Sequence, residues 1–302
     1  RGARSSAAAM GKEQAALLLL LGGSLVADAL LAQQEQNPRT TVLQLSDWKY
    51  YPPGAKVGIV TGGTPNLYEH FNYGSKDASI MLKYAKRHGY AFYVDKNMGR
   101  LSPRLKGWNK IALMHKLLRE VETLVWMDAD MVITDDSKSL EALLEKLKCD
   151  GAQQHRWANY LPVKADNNTF MWLSADVSPG RYLVNANTAM VVLRRSHEAF
   201  DFLTKVWRAG DDPNHFMHHD DPMRFMHKDP KSADYGWPWE QGAVWDVLAK
   251  EPMRYLRKTC IAPETQMHSV RPYKWSPGQF AQHNGGLPDE LRRKQGQAQL
   301  LK

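Results

Sequence analysis

Cysteine is nearly missing from this chain of 302 residues, which has only Cys149 and Cys260. Two cysteines exclude a disulfide-stapled miniature fold and any four-cysteine zinc site, and leave either one bridge or two buried thiols. Long apolar runs are missing as well. The richest stretch, Ala15 to Leu21 and then Ser24 to Ala32, is broken by two glycines and by Asp28, and falls short of the roughly 20 residues that a membrane-spanning helix needs. A large excess of one charge sign is also absent. Lys+Arg number 40 and Asp+Glu 32, a net charge of +8, and the bases are interleaved with acids, as on an ordinary solvated surface. No zinc finger, basic zipper region or aromatic RNA-binding signature accompanies them, so nucleic acid is not an expected partner. With 43% hydrophobic and 24% charged residues, the composition excludes disorder, collagen and coiled coil.

Tryptophan, by contrast, is plentiful, with 10 residues. So many rings either build a core or line a surface that grips flat amphipathic ligands. One basic stretch also stands out. Lys96, Arg100, Arg104, Lys106 and Lys110 are accompanied by a single acid, Asp95, which suits a small anionic ligand.

Residues 1–40 read as a targeting segment and linker. The apolar stretch fits a signal-peptide core or weak anchor, and Ala27-Asp28-Ala29 has the small-x-small spacing of a cleavage site. A short amphipathic surface helix is the other reading. The first implies passage through the ER or Golgi lumen, with a possible N-terminal membrane anchor. The globular domain is expected over 56–302, without an internal repeat.

Lys56 to Gly63 is a β-branched run ending in glycines and reads as a buried strand followed by a tight turn. Helical spacing from Ala78 to His88 stops at Gly89 and hands over to a strand over Tyr90 to Val94, a strand-helix-strand unit. A second helix spans Asn109 to Glu122. Leu124-Val125-Trp126-Met127 then reads as a central strand, apolar on both faces, and runs into Asp128-Ala129-Asp130. Further helices are expected over Ser139 to Lys148, His197 to Trp207 and Gln241 to Ala249, with a strand or hairpin over Tyr182 to Leu193. The fold class is therefore α/β, built on a mixed central sheet with a loop-rich C-terminal part.

Two carboxylates one residue apart, at the C-terminal end of a buried strand, lie where open α/β sheets bind their ligands. Asp128 and Asp130 there suit Mg²⁺ or Mn²⁺, hard ions that take few protein carboxylates and complete their shell with phosphate oxygens. A denser cluster, His215, His218, His219, Asp220, Asp221 and His227, offers a rival site for zinc or a solvated insertion. It lacks the His-Glu-x-x-His frame of a protease.

Lys56 to Gly63, Gly107 to Met114, Trp126 to Asp130, Leu183 to Arg194, Glu240-Gln241 and Trp275 to His283 resemble, in colinear order, segments of the galactosyl- and xylosyltransferase family of fungi and plants (glycosyltransferase family 34). The resemblance implies a single GT-A domain, the Rossmann-like fold of nucleotide-diphospho-sugar transferases. It also implies a UDP-sugar donor, Mn²⁺, a glycan or glycoprotein acceptor and retention of anomeric configuration. Asp128 and Asp130 match that family's metal motif and His283 its late metal-binding histidine. Thr61, Gly62, Lys106, Lys110, Asp128 and Ala129 then become the candidate nucleotide-contacting residues, with Lys106 or Lys110 set to neutralise a leaving diphosphate. Glu240, Gln241 and Asn187 become the candidate catalytic residues. Glu240 would stabilise developing positive charge or position the acceptor, or else simply open the following helix. Asn187 and Thr188 would bind sugar hydroxyls or form an ordinary turn. The chain departs from the family pattern at Asn185 to Ala189, at Gln279 and at Gln282 to Gly286.

Two other functions use the same features. A sugar-nucleotide nucleotidyltransferase also pairs acids in an α/β domain, but carries a glycine-rich phosphate loop of which Thr61-Gly62-Gly63-Thr64 is only a fragment. A non-catalytic glycan-binding module would use the aromatic residues alone. Trp126 is expected in the core and Trp207 on an amphipathic helix, while Trp237, Trp239 and Trp275 fall in late loops where an acceptor would cross the site.

Overall fold

A computed structural model describes residues 50–63, 80–95, 107–151, 158–175, 186–210, 240–269 and 279–283. Strand β1 (Val57–Gly62) is buried at every position, as its β-branched run implies for a strand covered on both faces. Helix α1 (Ile80–His88) turns Met81, Leu82, Tyr84 and Ala85 inward and carries Lys86, Arg87 and His88 in its last turn, at the negative end of the helix dipole. Gly89, at φ +69°, closes it. The Tyr90 N–H donates to Ala85 O at 2.8 Å and the Gly89 N–H to Lys86 O at 3.4 Å, a helix ending that requires a left-handed residue. Strand β2 (Ala91–Asp95) follows directly.

Helix α2 (Trp108–Leu117) is shorter than the expected Asn109 to Glu122. Its end unwinds because the next residues serve the sheet: the N–H groups of Glu122 and Thr123 donate to Lys56 O, and Arg195 N–H donates to Glu122 O. Strand β3 (Thr123–Met127), the short β4 (Met131–Ile133) and helix α3 (Leu140–Lys146) come next. Ser139 caps α3 by accepting from Ala142 N–H at 3.1 Å. Strands β5 (Met171–Ala175) and β6 (Ala186–Arg194), helices α4 (His197–Ala209) and α5 (Glu240–Lys250), strand β7 (Thr259–Ala262), the single turn α6 (Glu264–Met267) and strands β8 (His268–Ser269) and β9 (Ala281–His283) complete the order.

The main sheet has the order β2-β1-β3-β6-β5-β7, and β4-β9-β8 form a small second sheet. Strand β1 lies parallel to both neighbours, whereas β6 is antiparallel to β3 and to β5. The segment expected as a strand or hairpin is thus one continuous strand over its described part. The C-terminal ends of β1, β3 and β5 and the N-terminal end of β6 therefore share one edge. Between Leu173 and Ser174 the β5–β6 register shifts, from Leu173↔Val191 to Ser174↔Asn187. An irregularity of this kind takes residues out of the ladder and re-aims them. Here the released residues are Thr188, Ala189 and Met190.

Cys149 and Cys260 form a disulfide, which joins the chain after α3 to the edge strand β7 across 111 positions. Both cysteines are fully buried. Two residues on, Gly151 N–H donates to Ile261 O at 2.9 Å, and a Cβ at Gly151 would lie 2.4 Å from the carbonyl oxygen of Ala262. Gly151→Ala is therefore expected to cost about 1–3 kcal/mol, read as a lower urea midpoint with an unchanged slope. An unchanged midpoint would mean that the segment moves aside freely.

Among the described residues no helix is long and apolar enough to cross a membrane. The apolar stretch 15–32 lies outside them.

Candidate active site

Trp126 and Asp128 lie two positions apart on one strand line, so they share a face. The Trp126 indole Nε1–H donates to Asp128 Oδ1 at 2.5 Å, while Asp128 N–H donates to Ala189 O at 2.8 Å and extends the β3–β6 pairing past the strand end. Trp126 is buried, as expected of a core residue, and it also fixes the carboxylate. Ala129 and Asp130 form the turn into β4, closed by Met131 N–H on Asp128 O at 3.0 Å.

The small sheet supplies the third partner. Strand β9 pairs antiparallel with β4 and sets His283 opposite Met131, beside Asp130, with His283 Nε2 3.4 Å from Asp130 Oδ1. One ligand atom from each of Asp128, Asp130 and His283 lies within 4.8 Å of the other two. All three side chains are half-buried. Two carboxylates and an imidazole suit a divalent ion such as Mn²⁺, and three protein ligands leave positions for phosphate oxygens. Burial disfavours the His283 imidazolium, but Asp130 outweighs it and raises the pKa, so a metal at this site competes with a proton.

Lys110 is not a solvated lysine. It projects from α2 into the interior with only 5% of its side chain exposed. Its Nζ lies 2.6 Å from Glu240 Oε1, 3.1 Å from Asp128 Oδ1 and 3.1 Å from Thr188 O. Burial works against the ammonium, yet Asp128 and Glu240 together hold it well above the usual lysine range. Desolvation pushes the Asp128 carboxyl up, opposed chiefly by Lys110. One buried cation thus ties Asp128 to the first residue of α5.

Glu240 opens α5, as the helix-start reading has it, and is buried. Beside it, Gln241 Oε1 accepts from Thr188 N–H at 3.0 Å. The Thr188 hydroxyl lies 3.1 Å from both Glu240 Oε1 and Gln241 Oε1; having one hydrogen, it serves one of them at a time. These bonds exist because the break in the β5–β6 ladder releases the Thr188 backbone. Asn187 Oδ1 accepts from Ala189 N–H at 2.8 Å within the local turn. Trp245 Nε1–H donates to Ala186 O at 2.6 Å and anchors α5 against the start of β6.

Thr61 and Gly62 end β1 on the same sheet edge as Asp128. The Thr61 hydroxyl oxygen is buried without a partner in the structure. Lys106, Trp237, Trp239, Trp275 and the cluster from His215 to His227 lie outside the described residues. Two features of the site go beyond the sequence reading. The Trp126 indole contact was available from the two-residue spacing, whereas the pairing of Lys110 with Glu240 joins residues 130 positions apart and leaves no local signal.

The model of the galactosyl transferase GMA12/MNN10 family matches residues 62–268. The chain belongs to this family. Xyloglucan 6-xylosyltransferase 2 of Arabidopsis thaliana is 28% identical over 176 residues, which cover 53% of this chain and 34% of that protein. Xyloglucan 6-xylosyltransferase 1 of the same plant is 29% identical over 159 residues, 50% of this chain and 30% of its own. The chain thus spans about a third of the length of the curated relatives it matches. A solved glycosyltransferase involved in the glycosylation of the major capsid of PBCV-1 superposes with a TM-score of 0.51 at 13% identity, covering 80% of this chain and 98% of the other. The family member described here therefore has one GT-A domain on a mixed six-stranded sheet, as its motifs imply.

Proposed function

We propose that the chain is a metal-dependent glycosyltransferase that moves a hexose or pentose from a UDP-sugar to a glycan or glycoprotein acceptor, with retention, in the Golgi or ER lumen. The observation that carries this reading is the convergence of Asp128, Asp130 and His283 on one point beside the buried Lys110–Glu240 pair. Asp128, Asp130 and His283 would hold Mn²⁺ or Mg²⁺, which when bound supplies charge neutralisation at the diphosphate. Lys110 favours the ionised form of Asp128 against the effect of burial and orients it, and its fixed positive charge lies near the edge where the leaving group would gain negative charge. Thr61 and Gly62 form the wall on which a nucleotide would rest at the C-terminal edge of a parallel pair. Glu240, held by Lys110 and Thr188, would supply a negative charge to a sugar carbon that develops positive charge.

Titration calorimetry of the full chain with UDP is expected to show binding that strengthens at least tenfold with Mn²⁺. UDP release over a set of UDP-sugars should then single out one hexose or pentose donor, and proton NMR of the product would show the retained anomer. Metal-independent UDP binding would overturn the metal assignment. Glycan binding without UDP binding would point to a lectin-like module. An inverted product would require a general base in place of the present role of Glu240.

A further inference from the structure

We propose that Asn167 is an N-glycosylation site. Asn167-Asn168-Thr169 is an Asn-x-Thr triplet without proline at the middle position, the acceptor pattern for oligosaccharide transfer. Asn167 and Asn168 are exposed on a turn that precedes β5. The turn is braced from beneath: Thr169 N–H donates to Asp166 O at 3.1 Å, Asp166 N–H to Thr169 Oγ1 at 2.9 Å and Asn168 N–H to Asp166 Oδ1 at 2.8 Å. Arg194 donates to Asn167 O at 2.9 Å, so the backbone is fixed while the residue faces solvent. The Cys149–Cys260 disulfide supplies the second observation, because paired structural cysteines belong to oxidising compartments such as the ER lumen.

The co-reactant is a lipid pyrophosphate-linked oligosaccharide. The Asn167 amide nitrogen forms a bond to C1 of its first sugar, the bond from C1 to the pyrophosphate oxygen breaks, and the lipid pyrophosphate leaves while the nitrogen gives up one proton. Thr169 is buried and its hydroxyl is engaged by Asp166 in the folded chain, so transfer precedes closure of this turn. Strand β5 begins at the sheet edge opposite Asp128, so a glycan here stands clear of the candidate active site.

The test is expression of the full chain behind a cleavable secretory leader in a eukaryotic host, which guarantees delivery to the lumen. After peptide N-glycosidase, which converts a glycosylated asparagine to aspartate, mass spectrometry is expected to find most Asn167 converted. Asn167→Gln should lose the corresponding mobility shift and keep the same UDP binding. An unconverted Asn167 in secreted, disulfide-bonded protein would overturn the proposal.

A different pair of atoms carries a second inference, which rests on the metal-dependent reading above: the geometry points to His268 as a positioning residue for His283. Strands β8 and β9 run parallel with His268 beside Ala281, and the two imidazole rings meet edge to face at 6.2 Å. His283 Nδ1 and His268 Nε2 are both buried without a partner, while His268 Nδ1 lies 3.1 Å from Ser174 Oγ. A metal on His283 Nε2 leaves the proton on its Nδ1. That N–H needs an acceptor, as metal-bound histidines ordinarily have. His268 Nε2 serves, through one water or a small rotation, if His268 keeps its own proton on Nδ1 and donates it to Ser174.

Mn²⁺ titration of the full chain followed by the EPR signal of free Mn²⁺ tests this. His268→Ala is expected to bind Mn²⁺ about 10- to 100-fold more weakly, with metal-free UDP binding unchanged and with partial rescue by His268→Gln. If His268→Ala fails to fold, Ser174→Ala removes only the bond that sets the His268 tautomer and should weaken Mn²⁺ in the same direction. Unchanged Mn²⁺ affinity in the folded variants would overturn the positioning role. Failure of the unsubstituted protein to take up Mn²⁺ would instead overturn the metal reading itself.

Discussion

Asp128→Asn combined with Asp130→Asn is expected to abolish Mn²⁺-dependent UDP binding and to slow sugar transfer by about a thousandfold or more. The size follows from the several kcal/mol that a metal contributes to a charged transition state, at about 1.4 kcal/mol for each factor of ten. The fold should survive. An asparagine oxygen can still accept from the Trp126 indole, and Lys110 retains Glu240 at 2.6 Å. Unfolding by urea, monitored beside calorimetry with UDP and Mn²⁺, separates the two effects. Metal-dependent UDP binding by the double variant would remove both carboxylates from the site.

The second large effect is one of stability. Lys110→Met leaves Glu240, with 4% of its side chain exposed, without its cation. Removing one partner of a buried ion pair typically costs about 3–5 kcal/mol, because the remaining charge is stranded away from water. Asp128 adds less, since 30% of its side chain reaches solvent. Adding Glu240→Gln should recover most of that loss, because a neutral pair of similar volume carries no stranded charge. It should not recover turnover. The informative measurement is therefore the pair of urea midpoints set against kcat for the single and double variants. Equal midpoints for the unsubstituted protein and Lys110→Met would mean that water reaches Glu240 in solution.

The contrast between these two sites shows what could be read from the amino-acid order. Asp128 and Asp130 were legible because they follow a run, Leu124 to Met127, whose apolarity on both faces marks a central strand. Strand β1 and helix α1 were legible for similar local reasons: β-branched residues in the first, and helical spacing ended by a glycine in the second. Strand β5 was not, since Met171-Trp172-Leu173-Ser174-Ala175 contains no β-branched residue and is stabilised by the neighbours it meets on both sides. Strands β7 and β9, of four and three residues, are too short to carry a period. Lys110 was recognisable as a cation near a ligand, but its burial depends on α5 arriving from far along the chain. His268 gave no signal at all, because its significance is a contact across two short paired strands.

The pairing of β4 with β9 also has a bearing on the order in which the protein comes into being. Asp128 and Asp130 emerge from the ribosome well before His283, and the strand that carries His283 docks on residues made before it. A nascent chain that has completed the first two ligands holds only an acidic turn, open to weak and unselective ions. Under the proposed metal reading, all three ligands come together only once β9 has paired with β4. If these three residues hold a metal as proposed, loading follows the docking of β9, and chains interrupted before that strand would lack the third ligand.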